Sequence, residues 1–168
     1  MNMETSVNKH EEGEKIIRNH ILGAMGIGLI PVPLIDLIAI SGIQLNMLRK
    51  LANLYCIPFS KDKVKHILAS LLGGVFSVSV SGTLASIVKT IPLVGQTTGV
   101  LTMPVTAGAM VYAVGKVFIQ HFESGGTLLN LNPDDVKVYY ERMFKEGEKL
   151  ARDLQETKKN NVEIEEVR

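Results

Sequence analysis

The chain has no tryptophan, a single cysteine, few aromatic residues and, through its middle, almost no charge. Each shortage excludes something. One cysteine, Cys56, rules out an internal disulfide framework and any multi-cysteine metal site. A net charge of +1 gives no field for bulk binding of nucleic acid. The first 20 residues are polar and mixed in charge, so no secretory signal is expected there. Phosphate-binding and nucleophile motifs are missing too. Gly115 and Lys116 are followed by Val117, outside any P-loop pattern, and the glycines at 26, 28, 73 and 74 form no dinucleotide fingerprint. No Gly-x-Ser-x-Gly element occurs. Of His10, His20, His66 and His121, no pair has metal-ligand spacing on one helix. The expectation is a protein that is not an enzyme and takes no cofactor or metal.

What is present is two long uncharged blocks. Between Ile21 and Leu48 the only charge is Asp36, and between Ile67 and Gly115 it is Lys89. Breakers divide these blocks into helices. Pro31 and Pro33 stop a first helix that begins near Glu12, since proline lacks an amide donor and disfavours α geometry just before it. A second helix is expected over Leu34 to Tyr55, closed by Pro58. Ser60 caps a third. Residues 76–81 alternate apolar and serine with period two, a strand signal, but the flanks read as helix. Ile91 and Pro92 break the chain before a fourth helix, expected to be broken or kinked near Pro104 and to end at Gly125 and Gly126. Asn132, Pro133, Asp134 and Asp135 mark a last helix start: a cap residue, proline at the first helical position, then acids against the positive helix end. The fold class expected is all-α: two glycine-rich apolar helical hairpins, membrane-embedded or membrane-associated, plus a C-terminal amphipathic helix. The organisation reads as a flexible polar tail over 1–11, the hairpin domain over 12–126, the charged helix over 132–158 and a second tail over 159–168.

The runs 67–88 and 90–115 have the length of a bilayer span, whereas the prolines cut 21–48 into pieces that suit a re-entrant hairpin. Arg18, Arg49, Lys50, Lys61, Lys63, Lys65 and Lys116 lie at the open ends of both hairpins, which by the positive-inside rule places both termini in the cytoplasm. Against a span stand the many glycines, serines and threonines of 67–115. The same small residues, Ala109 and Ala113 among them, suit close helix–helix contact.

Two polar positions stand out. Asp36 is either an acid in the first turn of its helix or a functional ionisable group within a membrane. Gln44 lies two turns on and suits an interhelical hydrogen bond. In the last helix Val136, Tyr140, Met143, Leu150 and Leu154 recur at four- and three-residue spacings, with Gly147 in the gap, a narrow seam for one partner helix. That partner is the same domain, a second copy or another protein.

Two ordered motifs carry a resemblance. The first is Pro31, Val32, Pro33, Leu34, Ile35 and Asp36, then Ile43, Gln44, Leu45 and Met47, ending in Leu54 and Tyr55. The second is Ile91, Pro92, Leu93, Val94 and Gly95, then Thr106, Ala107, Tyr112, Ala113 and Gly115, ending in His121, Phe122 and Glu123. Together, over roughly 14–124, they resemble the YcjF-like, GTPase-associated bacterial family of unknown function. The resemblance implies a helical domain at the bacterial inner (cytoplasmic) membrane, several relatives being fused behind a GTPase domain. No GTPase motif is present in these residues, so a GTPase partner would be a separate protein. The family commonly places glycine after the tyrosine; here Cys56 stands there, which is expected to loosen the helix end. The leading functional expectation is a non-enzymatic anchor or partner protein that contacts membrane lipid, binds another cytoplasmic protein and forms homo-oligomers. The alternatives are a pore or transporter lined by Asp36, or a soluble cytoplasmic bundle that binds a lipid or apolar ligand.

Overall fold

The computed structural model describes residues 3–27, 33–77 and 99–166. Among them the secondary structure is helical throughout: α1 (Met3–Ile27), α2 (Pro33–Leu54), α3 (Lys61–Ser77), α4 (Gly99–Glu123) and α5 (Pro133–Glu166). The all-α expectation holds over these residues. The alternating segment lies largely outside them, as do the Ile91–Pro92 break and the tip at Pro31.

The helix ends follow the sequence signals. Asn132 Oδ1 accepts the Asp134 amide at 3.3 Å, the N-cap bond that precedes Pro133. The Ser60 carbonyl accepts the first α3 bond, from Val64, at 3.1 Å. α4 ends in a Schellman turn: Gly125, at φ 81°, donates to the Phe122 carbonyl at 3.0 Å, and Gly126 to that of His121 at 2.9 Å. α2 ends the same way without glycine. Cys56 takes φ 60°, donates to Asn53 O at 3.1 Å, and Ile57 donates to Ala52 O at 2.7 Å. The end expected to be loose is therefore capped by the backbone amides of Cys56 and Ile57, with Cys56 held in the left-handed region. Pro104 lies inside α4, which runs unbroken through it.

α4 is the central element, touching α1, α2 and α5. Ala109, Val111, Ala113, Val114 and Phe118 are fully buried, as expected of a helix that is apolar all round. Small residues let its neighbours approach. A Cβ at Gly115 would lie 2.5 Å from Ile17 Cγ1, and one at Gly147 of α5 would lie 3.0 Å from the Ala109 backbone. The order of these contacts sets direction. Gly13 meets Ile119, Ile17 meets Gly115, and Ile21 and Met25 meet Gly108, so α1 and α4 are antiparallel. Gly147 faces Ala109 and Ala151 faces Gly108, so α5 also runs opposite to α4. α1 and α2 are antiparallel by the pairs Gly23 with Ile43 and His20 with Asn46. The uncharged parts of α1, α2 and α4 thus gather at one end of the bundle.

Two expectations change, and a third, the spans over 67–88 and 90–115, lies partly outside the described residues. The stretch read as an N-terminal tail is helical from Met3, because His10 and Glu14 are tied to α4 and Gly13 packs against Ile119. The second tail is helical to Glu166. Among the described residues no helix is long and apolar enough to cross a membrane. The described part of the 90–115 run belongs to α4, whose buried apolar side chains from Val105 to Val114 pack within the bundle while Met103 is exposed.

Candidate functional site

The two sequence motifs end against each other. Tyr55, last residue of the first, donates its hydroxyl to Oε1 of Glu123, last residue of the second, at 2.7 Å. The same oxygen accepts from His10 Nδ1 at 2.8 Å. His10 Nε2 lies 3.7 Å from Glu14 Oε1, which also accepts from Lys116 Nζ. The chain Tyr55, Glu123, His10, Glu14, Lys116 therefore links α1, the end of α2 and α4. The Tyr55 and Phe122 rings sit 5.8 Å apart, with Phe118 behind Phe122 at 5.7 Å. Beside them opens a cleft of about 520 Å³ whose lining includes Val7, His10, Tyr55, Phe122 and Glu123.

The electrostatics favour holding protons in place. Burial, then the hydrogen bond and charge of Glu123, push the Tyr55 phenol well above its ordinary value. Tyr55 accordingly stays a donor. Burial works against the Lys116 ammonium, but the hydrogen bond and charge of Glu14 outweigh it and hold its pKa above the usual range. The ammonium also lies 5.8 Å from the Tyr112 ring centre. Each group here completes its neighbour's bonding, so the network acts as a clamp joining three helices at a cleft with an apolar wall and a charged rim.

Gln44 is fully buried, and neither its amide nitrogen nor its carbonyl oxygen has a hydrogen-bond partner among the described residues. Asp36 lies in the first part of α2, and its side chain is outside the described side chains, so both readings of it fall outside the description. The α5 seam has an intramolecular partner. Tyr140 and Met143 are in the core, Gly147 lies on Ala109, and Val136, Leu150 and Leu154 pack against the same core. Of the three partners open to it, the structure uses its own domain.

His20 and His121 brace neighbouring backbone and turns. His20 donates from Nδ1 to the Ile16 carbonyl at 2.6 Å and presents Nε2 to Asn46. His121 Nε2 contacts Thr127 O at 3.0 Å and Asn130 Oδ1 at 3.2 Å, bracing the turn before α5. No group of three metal-ligating side chains assembles among the described residues. The clamp was not read as a site from sequence. Its only signal was that Tyr55 and Glu123 each close a motif.

The family model described as Domain of unknown function (DUF697) matches residues 3–149. A relative from Magnetospirillum gryphiswaldense (strain DSM 6361 / JCM 21280 / NBRC 15271 / MSR-1), named Magnetosome membrane protein 22, is 40% identical over 147 residues, covering 87% of this chain and 75% of the relative. No solved structure matches.

Proposed function

The chain belongs to the DUF697 family, and from that premise we propose that it is a non-enzymatic, membrane-associated helical protein that holds a partner protein at a bacterial membrane. The observation that carries this reading is the partition of the bundle. The uncharged stretches of α1, α2 and α4 collect at one end, and the clamp and cleft lie at the other. A relative of 40% identity is named a membrane protein, which supports the same reading. The cleft beside Tyr55 and Phe122, rather than the α5 seam, receives the partner, because the seam is already covered.

Fractionation of the full chain tests the membrane half. Recovery with membranes, resistance to high salt and release by mild detergent are expected. A folded, monodisperse protein in the supernatant without detergent would replace the reading with a soluble ligand-binding bundle. An alkaline wash is a poor substitute, since raised tyrosine pKa values make the fold itself weaken at high pH. The choice of a GTPase as partner rests on the motif resemblance alone. Crosslinking in cells through a photoreactive side chain at Val7, on the cleft wall, is expected to trap it; products without a GTPase would remove that choice.

A further inference from the structure

The elbow joining α2 to α3 carries charge that the fold does not use. Arg49, Lys50, Lys61, Lys63 and Lys65 are all exposed, and none forms an ion pair among the described residues. Over 49–66 the only acid is Asp62, so the segment carries +4 with histidine neutral, and with a chain total of +1 everything else sums to −3. Three of the lysines occupy the opening of α3, the end where the helix dipole favours anions. α5 shows the ordinary arrangement, with Asp134 and Asp135 in its first turn. α3 sets one first-turn acid, Asp62, against three lysines, so its opening carries a local electrostatic penalty.

The elbow is also held rigid. The Schellman turn at Cys56 fixes the exit from α2, and Ile57 and Phe59 pack against the core. Cys56 and Pro58 remain exposed between the two basic flanks. A fixed cationic surface around a short, mostly apolar loop complements a plane of anionic headgroups. Nucleic acid fits less well, because the remainder of the molecule is net negative and would repel an extended polyanion.

We infer that the α2–α3 elbow is a docking surface for anionic phospholipid, with Lys61, Lys63 and Lys65 as its principal contacts. The inference rests on the membrane association proposed above and names the lipid class that the elbow meets. Attraction to an anionic leaflet is short-ranged and screened by salt.

The test is sedimentation of the purified full chain, in the minimal mild detergent it needs or none, with vesicles of equal parts phosphatidylglycerol and phosphatidylcholine, or of phosphatidylcholine alone. Binding to the anionic vesicles that weakens as salt rises is expected. The Lys61→Gln, Lys63→Gln, Lys65→Gln variant should partition about 100-fold more weakly, at roughly fivefold per lysine. A control carrying Lys145→Gln, Lys149→Gln and Arg152→Gln on the exposed side of α5 should bind like the unaltered chain. Equal loss in the control, no dependence on phosphatidylglycerol, or tighter binding to duplex DNA than to the vesicles would overturn the inference. Fractionation separates the two failures. If the unaltered chain and the elbow variant both remain with cell membranes and vesicle binding ignores lipid charge, the elbow inference falls and membrane association stands. If the unaltered chain is soluble in cells, both fall.

Discussion

Cys56 shows how much one residue can decide. At φ 60° it occupies a position where glycine is at home, and an L side chain there costs about 1–2 kcal/mol, partly offset by the greater chain entropy that glycine would lose. Cys56→Gly is expected to stabilise the protein by about 0.5–1 kcal/mol, read as a rise in the urea midpoint at unchanged slope. A fall would mean that the thiol makes a contact worth more than the strain. Gln44 poses the opposite problem, a buried amide with both ends unpaired among the described residues. Gln44→Leu keeps the volume close and removes two desolvated polar atoms, so a gain of about 1–2 kcal/mol is expected in the same measurement. Destabilisation would show that the amide has a partner in the native protein. The sequence marked Gln44 as polar within an apolar block and suggested a hydrogen bond. It held no sign that the bond would be missing, because satisfaction depends on what lies opposite.

At the scale of elements, the α4–α5 contact brings backbone against backbone. Gly147 faces the backbone of Ala109, which cannot swing aside as a side chain tip can. Gly147→Ala should therefore cost about 1–3 kcal/mol by forcing the helices apart. Gly13→Ala meets chiefly the far end of Ile119, whose Cδ1 can rotate away, and should cost clearly less. Denaturant titration of the two variants side by side checks the contrast; equal losses would mean that the contacts are equally yielding. Capping and breaking signals made the starts of α3 and α5 and the end of α4 legible in advance, because these are local chemistry. The helical state of residues 3–11 was not, since polar residues there become ordered only through contacts with α4, more than a hundred positions away. The seam of α5 was visible as periodicity, but a stripe carries no address for its partner.

For the molecule as a whole, the four tyrosines share one bias. Tyr55, Tyr112, Tyr139 and Tyr140 all have pKa values raised above the ordinary 10.0, with burial the leading cause in each. In the unfolded chain they ionise near that ordinary value, while in the folded protein they keep their protons to higher pH. Their contribution to stability is thus fully present below pH 10.0 and is lost as pH climbs through the raised values. Urea unfolding across the alkaline range should show a flat stability up to that point and a steep decline beyond it. A constant stability through strongly alkaline pH would contradict the burial of these phenols.

The sequence by itself determined the helical class of the described residues, the caps of α3, α4 and α5, and the segregation of charge, because each depends on residue type within a few positions or a turn. It also marked Tyr55 and Glu123, though only as motif ends. The tertiary structure alone decided that these two residues share a hydrogen bond, that α5 lies against α4 instead of facing a foreign helix, and that the uncharged stretches gather at one end. Those outcomes depend on antiparallel packing between segments far apart in the chain. Close approach at Gly115 and Gly147 permits that packing, and no local pattern encodes which distant surface a glycine will admit.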